Sequence, residues 1–145
     1  KILWPTDLSG NAQKALPLVT TLSRQLQSEI HVLYVIEELA IHEPWYGEFE
    51  EPHIQQIHEW EKQKAQERLD WVCSEYLQGC PLYIKHMAIG DPADEILKFI
   101  PKKDIDMVVM AKRGRRGKFA FGSVTEKVVK NSPVPVIAVP TDEST

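Results

Sequence analysis

The sequence predicts an α/β fold, a five-stranded parallel sheet with helices on both faces. Three observations predict it. Short apolar runs alternate with stretches whose apolar residues recur at helical spacing, strand then helix, from residue 1 to residue 139. The runs at 30–36 and 107–111 are apolar almost throughout, the pattern of strands buried on both faces. Each run is joined to the next by a helix-length connection, which parallel strands need, and right-handed crossovers follow.

Lys1 to Trp4 is expected to be the first strand, followed by a loop at residues 5–11. From Ala12, the residues Ala15, Leu16, Val19, Leu22 and Leu26 line one helical face. Pro17 falls inside that stretch and must bend the helix or shift its start. The second strand is IHVLYVI, Ile30 to Ile36.

Residues 37–51 change character. Acidic residues are mixed with Trp45, Tyr46 and Phe49, and Pro44, Gly47 and Pro52 oppose regular structure. We expect a long loop from Glu37 to Glu51 leading into a helix from about His53 to Tyr76. Ile54, Ile57, Ala65, Leu69, Val72 and Tyr76 form its apolar face. Its charged residues read as a solvated surface. His53 and His58 lack the spacing of a helical metal site, and no metal is assigned. Gly79 and Pro81 end the helix.

The third strand spans Leu82 to Ile89. Asp91 then caps a helix whose first residue is Pro92, with Ile96, Leu97 and Ile100 buried. Met107 to Ala111 is the fourth strand. The fifth spans Pro133 to Val139, and Pro135, without an N–H, favours an edge or the strand's start.

The chemistry gathers between the last two strands. After Ala111 comes a polar, glycine-bearing stretch, then Gly122, Ser123, Val124, Thr125, Glu126. Ser123 and Glu126 have the spacing of a capping box. Val124, Val128 and Val129 supply an apolar stripe. A strand, a loop with Gly114, Gly117 and Gly122, and a helix N-terminus suit an anion, because backbone can approach closely and free N–H groups point outward. Lys112, Arg113, Arg115, Arg116 and Lys118 concentrate positive charge there. The alternative is a turn with solvated basic residues. Neither a Walker P-loop nor a dinucleotide GxGxxG is present.

Composition narrows the classes. The 145 residues suit one domain. A formal net charge of −4 opposes broad nucleic-acid affinity, so the basic loop fits one small anion better than a polymer. Cys73 and Cys80 form no CxxC and read as free thiols. No window reads as a membrane span or a signal peptide, so a cytoplasmic location is expected and membrane partners are not.

The segment VVMAKRGRRGKFAFGSVTEKVVKNSPVPVIAV resembles the C-terminal signature of the universal stress protein superfamily: Gly, two residues, Gly, nine residues, Gly, then Ser or Thr, an apolar helix and a strand. Here Ala111 stands at the first glycine, and only seven residues, Arg115 to Phe121, separate Gly114 from Gly122. PTDLS resembles the family's first strand-to-helix loop, and IGDPADEIL its third crossover. The resemblance runs from Ile2 to Val139 and is weakest at 37–54.

It implies one Rossmann-like domain over residues 1–145, of the adenine nucleotide alpha hydrolase-like kind, and a site for ATP or a related adenine nucleotide with Mg²⁺. Pro5, Thr6, Asp7 and Val35 would lie at the adenine and ribose, Met110, Ala111 and Gly114 on the floor, and Gly122, Ser123, Val124 and Thr125 around the phosphates. Without the resemblance, Asp7 reads as a cap of the following helix and Val35 as core. The family's last strand pairs with its counterpart, so a homodimer through Val134 to Val139 is expected. An exposed apolar edge points the same way.

No catalytic set can be assembled from the motifs; a slow ATPase would need a metal and a water-positioning residue that the sequence does not display. Two functions therefore compete: a nucleotide-binding sensor or regulatory dimer, and a stress-response dimer that binds no nucleotide and works through protein contacts. Ala111 and the short loop favour the second; Gly114, Gly122, Ser123 and the basic residues favour the first.

Overall fold

The structure, a computed structural model, describes residues 1–36, 51–77, 82–112 and 122–141, with backbone alone at 51–58 and 76. The expectations for the 37–50 segment, for Gly79 to Pro81 with Cys80, and for the basic loop with Gly114 and Gly117 fall outside these residues.

In chain order the described residues form β1 (Ile2–Thr6), α1 (Gly10–Gln13), α2 (Leu16–Leu26), β2 (Ile30–Ile36), α3 (Glu51–Tyr76), β3 (Tyr83–Ile89), α4 (Pro92–Lys102), β4 (Met107–Ala111), α5 (Ser123–Asn131) and β5 (Val136–Val139). The strands lie in the order β3-β2-β1-β4-β5, and every neighbouring pair is parallel. This is the expected five-stranded parallel α/β sheet.

Alternation along the strands divides the core in two. Ile2 and Trp4 of β1, Ile30 and Val32 of β2 and Val109 of β4 pack with Leu16, Val19, Leu69, Val72 and Cys73 from α2 and α3. Leu3, Leu33, Val35, Val108 and Met110 face the other way, onto Ala93, Ile96, Phe99, Ile100 and Val128 from α4 and α5. Each fully buried Leu, Ile or Val contributes about 1.5–3 kcal/mol. All five residues of β1 are buried, as suits the central strand.

Several boundaries differ from expectation; α3 begins at Glu51 and β3 at Tyr83. β1 extends to Thr6, and β5 begins at Val136, with Pro133, Val134 and Pro135 ahead of it. Pro135 still serves the sheet, since its carbonyl accepts from Val108 N–H at 2.9 Å. The stretch from Ala12 to Leu26 is two helices: α1 ends at Gln13, and α2 starts so that Pro17 sits in its first turn, where the missing N–H costs nothing. Trp4 fixes the break from below, its buried indole Nε1–H donating to Ala12 C=O at 3.3 Å.

Asp91 caps α4 as expected, accepting from Asp94 N–H at 3.0 Å, with Pro92 in the first turn. β3 and β5 are the edge strands. Lys85 on β3 bonds Asp70 of α3 at 2.6 Å. That bond, with one from Gln66, holds the Asp70 carboxyl below the ordinary range and raises Lys85.

Candidate functional site

The chain leaves β1 toward β2 on one side of the sheet, while β4 lies on its other side. Between β1 and β4 is thus the switch point where ligands of such sheets bind, outside the C-terminal strand ends. Here the ladder between the two strands stops. Their pairing runs through Ile2–Met107 and Leu3–Val108, whereas β1 stays paired to β2 as far as Thr6–Tyr34 and β4 to β5 as far as Ala111–Val139.

Pro5 explains the stop. Ile2 N–H donates to Glu29 C=O on the β2 side, and Lys1 C=O accepts from Asp106 N–H on the β4 side. Alternation then turns residues 3 and 5 toward β4. In this parallel register, residue 5 would donate to the carbonyl of Val109, and proline has no donor to give. The ladder stops, and the C-terminal ends of β1 and β4 lie beyond it at the switch point.

The turn after β1 is built by short polar side chains. Thr6 Oγ1 accepts from Leu8 N–H at 2.9 Å, and Asp7 Oδ1 from Ser9 N–H at 2.9 Å. Leu8 takes a left-handed φ of 63°. Ser9 is the cap of α1, accepting from Ala12 N–H at 3.2 Å, so Asp7 shapes the turn before the cap instead of capping the helix itself.

The other wall is the end of β4 and the start of α5. Met110 and Ala111 are buried. The loop that leaves at Lys112 is tied shut where it returns, Gly122 N–H donating to Lys112 C=O at 2.9 Å. Gly122, at φ −65° and ψ 152°, is the cap residue of α5. This corrects the expected capping box: Ser123 is already helical and exposed, and Glu126 pairs with Lys130 at 3.0 Å. Glu126 N–H donates to Gly122 C=O at 3.0 Å. Among the described residues, no side chain caps the helix. The first-turn N–H groups of Ser123, Val124 and Thr125 precede that bond and carry the positive end of the helix dipole.

The predicted residues therefore sit on two walls, Pro5, Thr6 and Asp7 on one and Met110, Ala111, Gly122, Ser123, Val124 and Thr125 on the other. Thr125 joins parts of the second wall: it is 3% exposed, and its hydroxyl donates to Ala111 C=O at 3.0 Å. Val35 is one strand away on β2, buried in the core beneath α4 and α5. Val124 packs at the edge of the same core. Gly114 is outside the described residues. The ladder-breaking role of Pro5 escaped sequence reading, although a proline at the end of a central strand was the signal for it.

Among the described residues, no cluster of His, Cys, Asp and Glu could hold a metal ion. No described helix is long and apolar enough to cross a membrane. A shallow cleft of about 240 Å³ lies between Leu8, Gln13 and the α3 residues Glu67, Arg68, Trp71 and Val72. It contains none of the predicted site residues.

Comparison with known proteins follows the same geometry. Among curated proteins, the chain is 31% identical over 141 residues to a universal stress protein of Methanocaldococcus jannaschii, MJ0531, covering 96% of this chain and 81% of that protein. Among solved structures, it is similar to the protein MJ0577 of the same organism, at 27% identity and a TM-score of 0.84, covering 99% of this chain and 96% of that one. The universal stress protein from Archaeoglobus fulgidus, solved in complex with dAMP, shares the fold at 21% identity and a TM-score of 0.65, with 94% of each chain covered. The model of the universal stress protein family matches residues 1–140, and the chain belongs to that family.

Proposed function

We propose that the protein binds ATP or a related adenine nucleotide, with Mg²⁺ accompanying the phosphates, and acts as a dimeric sensor or regulatory module in a stress response. The observation that carries this reading is the β1–β4 ladder broken at Pro5 at the switch point, beside a helix N-terminus that no side chain among the described residues caps. In this reading Pro5, Thr6, Asp7 and Val35 lie toward the adenine and ribose. Met110, Ala111 and Gly114 form the floor. Gly122, Ser123, Val124 and Thr125 surround the phosphates, and Lys112 begins the basic loop that would balance their charge. The dAMP complex of the Archaeoglobus fulgidus relative agrees with a nucleotide of this class.

Residues 1–145 act as one domain in the cytoplasm in this proposal, and two copies pair through Val134 to Val139, since β5 is an edge strand whose residues are only half-buried. A second reading has its own support. Ala111 replaces a signature glycine and the loop is two residues short, so a dimer that acts through protein contacts without nucleotide competes with the first.

Titration calorimetry of nucleotide-free protein with ATP and MgCl₂ separates them. Binding with a Kd of about 1–100 μM, roughly −8 to −5.5 kcal/mol, is expected for the nucleotide reading. No heat and no shift in melting temperature at millimolar ATP would leave the protein-contact reading.

A further inference from the structure

We infer that Thr125 is the positioning residue of the proposed anion site, its hydroxyl standing in for the strand donor that the broken β1–β4 ladder no longer supplies. The inference rests on the nucleotide reading above and deepens it.

When the β1–β4 ladder ends at Leu3–Val108, the carbonyls of Val109 and Ala111, which face β1 past its end, have no strand donor from β1. The register would match Ala111 C=O with the N–H of residue 7. Instead it accepts from Thr125 Oγ1–H at 3.0 Å. The next carbonyl, Lys112, accepts from Gly122 N–H at 2.9 Å. Two consecutive carbonyls at the end of β4 are thus both met from α5 and its cap.

This arrangement has two consequences for an anion. An unpaired carbonyl at the end of β4 would turn a partial negative charge toward a phosphate, and bonding it to a hydroxyl removes that repulsion. The bond also fixes the first turn of α5 to the sheet, so its N–H groups are aimed before ligand arrives. The hydroxyl proton of Thr125 is committed to Ala111, and the side chain is 3% exposed. Thr125 therefore acts on the phosphates through the placement of α5.

The test compares the parent protein with Thr125→Val, which keeps the shape and removes the hydroxyl, and Thr125→Ser, which keeps the hydroxyl. Each is titrated with ATP and with adenosine. Thr125→Val should lose at least about tenfold in ATP affinity, with adenosine held within about twofold, and Thr125→Ser should return to within about threefold of the parent for ATP. Unchanged ATP binding in Thr125→Val, equal loss of ATP and adenosine, or no rescue by serine would overturn the inference. If Thr125→Val does not fold, Thr125→Ala is held to the same criteria.

If the parent binds neither ligand, the nucleotide reading fails, and amide exchange in the ligand-free protein decides the positioning role alone. Gly122 and Glu126 amides should exchange at least about tenfold faster in Thr125→Val and recover in Thr125→Ser. Unchanged exchange would overturn the role.

Discussion

The rings of His31 and His86 lie edge to edge, with centroids 5.2 Å apart and planes 9° from parallel, and His31 Nδ1 lies 3.1 Å from His86 Nε2. The pair joins β2 to the edge strand β3, under Phe99 of α4, which meets both rings edge-on. His31 Nε2 lies 3.1 Å from Glu29 Oε1. With Glu29 ionised, the chain of bonds runs one way: His31 donates to Glu29 and accepts from His86.

Stability should therefore fall in mild acid. Burial, then the charges of His31, Lys103 and Lys102, hold the His86 pKa below its ordinary 6.5. As pH falls below 6.5 the unfolded chain takes up its proton first. This contribution is thus complete above pH 6.5, declines as pH falls toward the folded pKa, and is lost below it. Urea unfolding at pH 7.5 and pH 5 should show a smaller acid loss for His86→Gln than for the parent. Equal losses would show that other groups set the acid limit.

Trp4→Phe should destabilise by about 2–3 kcal/mol. The indole is fully buried, and its N–H satisfies Ala12 C=O at the break between α1 and α2. Phenylalanine leaves a gap and removes the indole's bond to Ala12 C=O, which still accepts from Ala15 N–H at 3.2 Å. Urea unfolding should show a lower midpoint at an unchanged m-value, and a loss under 1 kcal/mol would mean that water replaces the bond.

Gly122→Val tests the phosphate wall directly. The residue has an ordinary extended backbone, so the fold should survive with only a weaker helix cap. A branched Cβ at the loop's return would nevertheless stand where phosphate must approach. ATP affinity should fall at least tenfold, about 1.4 kcal/mol, with an unchanged circular dichroism spectrum. Parent-like affinity would move the anion away from Gly122.

The sheet was legible because both periods were plain: continuous apolar runs at 30–36 and 107–111, and helical spacing between them. Asp91 with Pro92 gave one helix start to the residue. What escaped depended on contacts distant in sequence. Ser123 and Glu126 have capping-box spacing, yet Gly122 takes the cap, with its N–H bonded to Lys112 C=O and Ser123 already helical. Thr125 looked like a phosphate ligand, and its bond to Ala111 emerges only once β1 is known to stop short. His31 and His86 are 55 positions apart and meet only through the β2–β3 pairing. Trp60 and Trp71 remain exposed on α3, which helical spacing alone did not foretell.

Gly90 links β3 to the cap of α4, and its substitution separates two physical causes. Its φ of 149° is in a region that side chains rarely adopt, and its N–H donates to Ile36 C=O at 2.9 Å, which holds it there. An added Cβ would also lie 2.8 Å from Glu95 Oε1. That atom ends a flexible side chain and can move, whereas the backbone cannot relax without giving up the bond to Ile36. Gly90→Ala should therefore cost about 1–3 kcal/mol, mostly from backbone strain. A double-mutant cycle with Glu95→Ala apportions the cost. The coupling should recover less than half of it. Full recovery in the double variant would assign the cost to the Glu95 clash and leave the strained backbone without a measurable penalty.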